Sequence, residues 1–504
     1  MHKFERLFQV AASIFLALLA TAIAAQAQTF TSLAKLAPKS GTSPLYESLV
    51  QGTDGNLYGT ASASGAYGYG TVFKVTPSGA LTVLYNFCAV SDCLDGRFPE
   101  GGLTLGTDEN FYGTTAAGGP YNSSCGGGCG TVFKITRQGV LTTLHTFDFT
   151  DGYVPSGALV QGTDGNFYGT TLFGGTDDSC KTIGSEVGCG TIFKITPEGR
   201  FTTLHSFVET DGWEPIAGLI EATDGNFYGT TYLGGANDRG AVFKVTPEGD
   251  LTTLHSFCAL AHCADGDGPY AALVEASNGD FYGTTLGGGT NTSCDIYNGD
   301  QCGTVFRITS AGMLTTLTDF LDYDGWEPFG PLIQATDGNL YGTTGAGFGT
   351  NCPAYFNQGC GTVFEITPQG VLTDLHSFGY IDGAVPVGGL FQATNGLFYG
   401  TTVDGGGLSC SPWGCGTVFS ESVGLGPFVM TVPTARKVGQ GVIILGNGLE
   451  GSTSVTFNGA PATFKVVSAT EISTTVPAGA TTGTVQVITP GGPLSSNVPF
   501  KVVQ

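Results

Sequence analysis

Residues 163–171 read TDGNFYGTT, and residues 190–207 read GTIFKITPEGRFTTLHSF. Each phrase alternates apolar and polar residues around an Asp-Gly or Glu-Gly turn, which is the pattern of strands joined by tight hairpins. The runs are rich in Thr, Phe, Tyr and Ile, residues that suit a pleated, half-buried surface. This stretch therefore predicts a unit of short antiparallel strands.

The same unit recurs along most of the chain. A regular spacing of 54 to 60 residues between its Tyr-Gly-Thr triplets indicates a repeated supersecondary unit. Each unit contains four strand-like runs, so the array is either a β-propeller or an open solenoid. The triplets begin at Tyr58, Tyr112, Tyr168, Tyr228, Tyr282, Tyr341 and Tyr399.

The two ends of the array distinguish these architectures. The seventh unit supplies three runs and then passes into residues 423–425 without a counterpart of FTTLHSF. The missing run lies at the start of the chain, where residues 30–36 match the beginning of residues 201–207. Pairing of that segment with the last unit would leave no exposed edge strand. The sequence thus predicts an all-β, seven-bladed β-propeller of four-stranded blades at residues 28–426, its last blade closed by the N-terminal strand.

The fourteen cysteines form seven pairs of near neighbours, one pair in each unit. Five pairs close the loop between the YGTT and GTVF runs, and the pairs of the first and fourth units follow the outer strand. Such pairs predict local disulfides in an exported protein. Their variable spacing and the presence of only six histidines disfavour metal binding. The predicted disulfides are Cys88–Cys93, Cys125–Cys129, Cys180–Cys189, Cys258–Cys263, Cys294–Cys302, Cys352–Cys360 and Cys410–Cys415.

Residues 1–27 have the pattern of a secretory signal peptide. A short basic start precedes an apolar run and a small-x-small site at residues 25–27. A retained anchor would need about 20 apolar residues, more than this run provides. We therefore expect an exported protein, in the periplasm, on the outer surface or outside the cell, with no transmembrane segment in its mature chain.

Charge is distributed unevenly along the sequence. Residues 28–426 carry a net charge of −26, whereas residues 427–504 carry +2. The acidic part excludes nucleic acid as a partner, because binding to a polyphosphate requires Lys and Arg to release its counterions. The change of composition marks a second domain, and its alternating runs split by Gly and Pro turns predict a small Ig-like β-sandwich at residues 427–504.

Two resemblances accompany these patterns. The phrases GTVFKIT and TDGNFYGTT, repeated over residues 30–420, closely resemble the bacterial tandem repeat called GloVer, which is found in secreted choice-of-anchor proteins. The tail, with VGQGVIILGNGL at 438–449 and SVTFNGAPATF at 454–464, is similar to the IPT/TIG immunoglobulin-like domain. The second resemblance implies a spacer or an interaction module and no catalysis.

No constellation typical of a catalytic site appears in the sequence. Histidines recur in one register of the outer strand, whereas a catalytic histidine would need a unique set of partners. Acids recur in the hairpin turn, where two units substitute Asn, and this interchange disfavours a required carboxylate or a calcium site. We therefore predict no catalytic residue, metal or cofactor. The two sets are His145, His205, His255 and His376, and Asp54, Asp108, Asp164, Asp224 and Asp337 with Asn278 and Asn395.

The best candidate site lies in the DGxxP phrases that join each outer strand to the next unit. In a four-stranded blade these linkers emerge on the same face as the long, disulfide-closed loops, so one face carries most of the variation. Aromatic rings beside acidic groups suit sugar rings, although recurrent aromatics also fit as wedges between blades. The candidate ligand-binding residues are Tyr153, Trp213, Trp326, Trp413, Asp151, Asp211 and Asp324.

The regular repeats without a catalytic constellation favour a non-enzymatic, monomeric protein that binds carbohydrate or a cell-envelope protein. Two alternatives stay open. One is an enzyme that acts on polysaccharide with acids of the DGxxP phrases as its acid and base, and the other is a purely structural envelope component. The fold does not choose among them, because propellers support many functions.

Overall fold

The computed structural model describes residues 28–45, 48–177, 179–182, 185–186, 188–290, 302–321, 324–347, 352, 359–407, 410 and 414–503. The signal peptide predicted at residues 1–27 lies outside the described residues, as do Cys294 and Trp413. Six of the seven predicted disulfides are present among the described cysteines, and the seventh involves Cys294.

The first strand, β1 (Thr29–Lys35), precedes seven consecutive units. Within the described residues, each unit forms a four-stranded antiparallel sheet, which we call a blade. The strands are β2 (Val50–Gln51), β3 (Leu57–Ala61), β4 (Thr71–Val75) and β5 (Leu81–Asn86) in blade 1; β6 (Thr104–Leu105), β7 (Phe111–Thr115), β8 (Thr131–Ile135) and β9 (Leu141–Thr146) in blade 2; β10 (Val160–Gln161), β11 (Phe167–Thr171), β14 (Thr191–Ile195) and β15 (Phe201–Ser206) in blade 3, whose loop holds β12 (Lys181–Thr182) and β13 (Ser185–Glu186); β16 (Ile220–Glu221), β17 (Phe227–Thr231), β18 (Ala241–Val245) and β19 (Leu251–Ser256) in blade 4; β20 (Val274–Glu275), β21 (Phe281–Thr285), β22 (Thr304–Ile308) and β23 (Leu314–Asp319) in blade 5; β24 (Ile333–Gln334), β25 (Leu340–Thr344), β26 (Thr362–Ile366) and β27 (Leu372–Ser377) in blade 6; and β28 (Phe391–Gln392), β29 (Phe398–Thr402) and β30 (Thr417–Ser422) in blade 7.

The N-terminal strand completes blade 7, which confirms the prediction from the ends of the array. Strand β1 pairs antiparallel with β30, so the sheet has the order β1-β30-β29-β28. The ring of Phe30 stacks on His376 of blade 6, with centroids 3.6 Å apart. Phe201 of blade 3 makes the same contact with His145 of blade 2, at 3.8 Å. The strand from the other end of the chain therefore packs as an ordinary outer strand.

Blades 7 and 1 are joined by the same contact as other neighbouring blades. Gln51 Nε2 donates to Thr394 Oγ1 at 3.1 Å, and the Thr394 backbone N–H donates back to Gln51 Oε1 at 3.0 Å. Gln161 and Thr107 exchange the equivalent bonds between blades 3 and 2, at 3.4 and 3.1 Å. The seven sheets thus form a propeller whose first and last blades are in contact.

The tyrosine of each Tyr-Gly-Thr triplet ties a blade to its own turn and to the next blade. Tyr168 is 1% exposed, yet its hydroxyl donates to Asp164 Oδ2 at 2.8 Å. Its ring stacks on Phe227 of blade 4, with centroids 4.0 Å apart. In blade 5 the turn residue is Asn278, whose Nδ2 donates to the hydroxyl of Tyr282 at 3.0 Å. The acids at these positions are therefore turn residues, as the sequence predicts.

The inner strands are shorter than the sequence pattern suggests. The apolar run over residues 158–161 predicts a strand of four residues, but β10 includes only Val160–Gln161. The linkers of neighbouring blades approach each other closely just before these strands, where a Cβ on Gly157 would lie 2.6 Å from the backbone nitrogen of Gly218. Contact between linkers replaces strand pairing at that point.

Residues 427–503 form a β-sandwich, as predicted for the C-terminal domain. One sheet has the order β31-β33-β37-β36, the other has the order β35-β34-β38-β39, and β32 pairs in parallel with β40. Val442, Ile444, Val455 and Val487 contribute to the core between the sheets. The strands are β31 (Met430–Val432), β32 (Ala435–Lys437), β33 (Gly441–Leu445), β34 (Ser454–Phe457), β35 (Ala460–Pro461), β36 (Phe464–Ser468), β37 (Glu471–Thr475), β38 (Val485–Thr489), β39 (Gly492–Ser495) and β40 (Lys501–Val503).

The C-terminal domain contacts the propeller on the face that carries the hairpin turns, here called the turn face. Thr470 Oγ1 donates to the carbonyl oxygen of Thr53 at 2.7 Å, and Asn447 Nδ2 donates to Thr394 Oγ1 at 2.7 Å. Leu445 is 1% exposed and packs with the apolar cluster between blades 1 and 2. The opposite face of the propeller, which carries the long loops, is the looped face.

We predict that Tyr168→Phe lowers the thermal unfolding midpoint more than Tyr282→Phe does. The first variant removes a hydrogen bond to the carboxylate of Asp164, worth about 1.5–3 kcal/mol, and the second removes one to the neutral amide of Asn278, worth about 0.5–1.5 kcal/mol. The two rings are equally buried, so each variant controls for the other. Equal shifts, measured by calorimetry, would contradict the assignment of the turn carboxylate as a stabilising acceptor.

We also predict that Phe30→Ala opens the contact between β1 and β30. Truncating a packed phenylalanine lowers the free energy of unfolding by about 3 kcal/mol. Strand β1 comes from the N-terminal end of the chain and is held in blade 7 by its pairing with β30. Hydrogen exchange of the β30 amides should therefore accelerate. Phe201→Ala, the matched control, removes the same stacking contact inside the array and should leave β30 protected. Unchanged exchange of β30 in Phe30→Ala would refute this role of the N-terminal strand.

Candidate functional site

The DGxxP linkers and the long loops meet on the looped face. Tyr153 and Trp213, which follow the Asp-Gly pairs of two linkers, form backbone bridges with Phe173 and Leu233, two residues beyond the YGTT strands. The Asp-Gly glycine is required there, because a Cβ on Gly212 at φ +121° would lie 2.2 Å from a threonine hydroxyl of β17. The base of each loop is therefore held by backbone contacts that do not depend on the loop sequence.

The candidate acids Asp151 and Asp211 pair with the recurrent histidines. His145 Nε2 lies 2.8 Å from Asp151 Oδ2, and the second oxygen of Asp151 accepts from the Asp148 backbone N–H at 2.9 Å. His205 and Asp211 make the same bond at 2.9 Å. The pairs His255–Asp265 and His376–Asp382 repeat it, and the hydroxyl of Tyr85 takes the histidine position opposite Asp95. These carboxylates close the turn that leaves the outer strand.

Asp324 differs from the other linker acids. Thr318 stands in the histidine register of its blade, so the Asp324 carboxylate keeps the backbone hydrogen bond from Leu321 but has no histidine opposite it. Burial raises the pKa of Asp324 above its ordinary value. Burial, and then the charge of Asp324, raises the pKa of Asp374 in β27 to about 6. At this junction two carboxyl groups lie together, whereas the junction of blades 2 and 3 has Thr203 in place of Asp374 and a histidine, His145, paired with the linker acid.

The three candidate aromatics in the described residues pack into the junctions between blades. Trp326 is 8% exposed and belongs to the apolar core between blades 5 and 6. Trp213 is half-buried, and its Nε1 donates to Asp238 Oδ1 at 3.4 Å. Tyr153 lies between the rings of Phe149 and Phe173, at 6.3 and 6.1 Å. Only Trp213 and Tyr153 retain appreciable exposed surface for a ligand.

A second set of aromatics, not among the predicted residues, lies at the inner ends of the linkers. Tyr270 and Phe329 directly follow the linker prolines, and their ring centroids are 5.2 Å apart in an edge-to-face arrangement. Tyr232, the residue after the YGTT strand of blade 4, contacts Tyr270 at 5.6 Å. A small cleft beside Tyr270 and Phe329 is also lined by Ile216. The half-buried rings form a continuous aromatic run across blades 4, 5 and 6.

Carboxyl groups flank this aromatic run. Glu214 and Glu327 precede the linker prolines, and burial raises the pKa of both side chains. Their backbone oxygens accept from the N–H groups of Tyr232 and Phe329, at 3.0 and 2.9 Å, which fixes acids and rings to the same loops. The described part of the chain forms no hydrogen bond to either carboxylate. Glu100 occupies the post-proline position in blade 2, and burial raises its pKa to about 7.

The sequence contained a signal for these residues. The residue after the linker proline differs in character from unit to unit: it is Glu100, Ser156, Ile216, Tyr270, Phe329 and Val387 in turn. Variation at a fixed position of a rigid scaffold is typical of a binding surface. Only the folded chain brings Tyr232 of one loop beside Tyr270 of another, so the run itself was not visible in the sequence.

Neither a metal centre nor a membrane-spanning helix was found in the part of the chain that the structure describes. No group of three or more His, Cys, Asp or Glu side chains there is arranged to hold a metal ion. No helix of those residues is long and apolar enough to cross a membrane.

Comparison with protein families identifies both parts of the chain. The model of the Gloeobacter/Verrucomicrobia repeat matches residues 20–184, 124–301 and 297–424. The model of the IPT/TIG domain matches residues 429–502. No curated protein matches the chain.

Similar solved structures have low sequence identity. A fungal alcohol oxidase of the AA5 family in complex with copper is 12% identical, with a TM-score of 0.48, and the match covers 94% of this chain and 99% of that chain. The extracellular domain of a putative hybrid two-component system from B. thetaiotaomicron is 10% identical, with a TM-score of 0.46 and coverages of 84% and 45%. Hydrazine synthase from Kuenenia stuttgartiensis is 16% identical, with a TM-score of 0.45 and coverages of 72% and 93%.

We predict that Glu100→Gln removes a pH-dependent loss of stability. The pKa of Glu100 is about 7 in the folded protein and near 4.5 when unfolded, so the unfolded state releases its proton first as the pH rises. The wild type should therefore lose up to about 3 kcal/mol of unfolding free energy between pH 4.5 and pH 7, and the variant should keep it.

Denaturant unfolding at pH 4, 6 and 8 measures this difference. Glu248→Gln is the control, because it makes the same change in a side chain that is exposed in a hairpin turn. Parallel profiles for the wild type and Glu100→Gln would show that burial of this carboxyl does not affect stability.

Proposed function

The chain belongs to the family of the Gloeobacter/Verrucomicrobia repeat, and from this we propose that it is an exported binding protein that recognises carbohydrate on its looped face. A repeat array joined to an IPT/TIG domain fits a binding or surface protein. Its disulfides fit an oxidising compartment outside the cytoplasm. The C-terminal domain occupies part of the turn face, which leaves the looped face for the ligand.

The aromatic run of Tyr232, Tyr270 and Phe329 is the observation that carries this proposal. Half-buried rings on loops of a rigid scaffold present apolar surface that the C–H face of a sugar ring can cover. Being part of three different blades, the three rings follow the curve of the propeller and offer successive contacts. Such an extended, shallow surface suits a polymer chain better than a single small sugar.

The flanking acids define the class of carbohydrate. Glu214 and Glu327 offer carboxylate oxygens that can accept hydrogen bonds from sugar hydroxyls, and these bonds are stronger than those between neutral groups. The charge of −26 on residues 28–426 repels acidic polymers. We therefore propose a neutral polysaccharide or an amino sugar polymer as the ligand.

A binding screen of the full chain against neutral, amino and acidic polysaccharides tests this proposal. We expect selective binding to a neutral or amino polymer, and Tyr270→Ala should weaken it about tenfold, equivalent to about 1.4 kcal/mol. Tyr121→Ala is the matched control, because Tyr121 is 81% exposed on a loop of blade 2, away from the run. Binding that both variants preserve would exclude the aromatic run as the site, and binding to no polymer would exclude the proposed ligand class.

The acid pair of Asp324 and Asp374 favours the enzyme alternative, because raised pKa values and a broken repeat are typical of functional sites. The polymer that binds should therefore also be incubated with the protein and examined for cleavage. Turnover that disappears in Asp324→Asn, with polymer binding retained, would establish an enzyme. A bound polymer that stays intact would support binding without catalysis.

A further inference from the structure

A cavity lies between the propeller and the IPT/TIG domain. Its volume is about 320 Å³, and it is partly open to solvent. The inner parts of blades 1, 2, 3 and 7 form most of its wall, and strands β31 and β33 of the C-terminal domain form the rest. The C-terminal domain closes it on the turn face, whereas the aromatic run lies among the linkers of blades 4, 5 and 6.

The lining of this cavity is apolar and carries no charge. Leu49, Leu103 and Phe391 contribute from the blades, and Met430 and Val432 contribute from the C-terminal domain. Four uncharged polar side chains complete the lining, those of Ser48, Gln51, Thr104 and Thr431. Two of them are already bonded within the protein, Gln51 to Thr394 and Thr104 to the carbonyl oxygen of Leu159.

The contacts around the cavity hold its two walls together. The hydrogen bonds of Thr470 to Thr53 and of Asn447 to Thr394 attach the C-terminal domain on either side of it. Leu445 is inserted into the cluster of blades 1 and 2. The gap therefore persists between docked surfaces, and of its polar side chains the Thr431 hydroxyl is buried without a hydrogen-bond partner.

We propose that this cavity binds an uncharged aliphatic chain of about ten to twelve carbon atoms. A cavity of about 150 Å³ with walls of Leu, Ile and Phe accommodates one benzene ring, so a volume of 320 Å³ accommodates about twice as many carbon atoms. Charged ligands are excluded, because no side chain of the lining could pair with a buried charge. The proposal is independent of the carbohydrate site, because the cavity shares no lining residue with the cleft beside the aromatic run.

Binding of such a chain would also strengthen the attachment of the C-terminal domain. The ligand would contact the blades and the domain at once, so it binds the docked arrangement and not the separated one. By mass action, a ligand that binds only one state stabilises that state. Occupation of the cavity should therefore slow hydrogen exchange at the interface strand β31.

Isothermal titration of the full chain with 1-decanol tests the proposal. We expect one site per chain and a negative heat-capacity change, which marks the burial of apolar surface. Decylammonium should bind at least tenfold more weakly, because its charge would have no partner. Absence of decanol binding, or equal binding of the two probes, would overturn the proposal.

Two variants locate the site. Met430→Trp places a larger side chain in the cavity and should weaken decanol binding at least tenfold, and Val50→Phe, on the wall formed by the blades, should do the same. Val467→Trp is the matched control, since Val467 is 48% exposed on the same domain and does not line the cavity. Circular dichroism verifies folding of each variant. Undiminished binding in a folded Met430→Trp or Val50→Phe protein would show that decanol binds elsewhere.

Discussion

The triplet tyrosine sets the geometry on which the rest of the propeller depends. Its hydroxyl must reach the turn residue of its own blade while its ring stacks on the next blade, as Tyr112 does with Asp108 and Phe167. The first requirement fixes the hairpin between the inner two strands, and the second fixes the spacing of neighbouring sheets. Because both are met by a side chain that is almost fully buried, the turn side of each unit tolerates little change. Sequence variation is therefore concentrated in the loops at the other end of the strands.

The looped face has its own framework beneath that variation. The histidine–aspartate pairs close the turn after the outer strand, and threonines of the GTVF strands hold the linker backbone, as Thr191 Oγ1 does by donating to the carbonyl oxygen of Asp151 at 3.1 Å. Residues above this framework can differ between blades without a change of fold. Positions where the framework itself changes, such as Thr318 opposite Asp324, are for that reason more informative about function than loops that differ only in length.

Much of the fold could be predicted because the sequence pattern of each strand and turn recurs in seven units, which can be compared with one another. The missing outer strand of blade 7 was found in the N-terminal segment by that comparison, and β1 confirms it. The site was harder to predict, because it depends on contacts between residues of different blades. The pairing of histidine with the linker acid was also hard to predict, since Asp151 follows His145 by six positions but Asp265 follows His255 by ten, where a disulfide loop intervenes. Burial of Trp326 depends on packing that the repeated phrase does not encode.

Charge explains part of the attachment of the C-terminal domain to the turn face of the propeller. The positive charges of Arg436 and Lys501 interact with Asp164 and Glu221 of blades 3 and 4, so the basic domain is attracted to the acidic turns on that side. On the side of blades 1, 2 and 7 the contact is made by apolar side chains instead, and there the surfaces leave a cavity. The attachment is therefore ionic on one side and apolar on the other. Salt should weaken the first part and leave the second intact, so an apolar molecule in the cavity reinforces the part of the interface that does not depend on ionic strength.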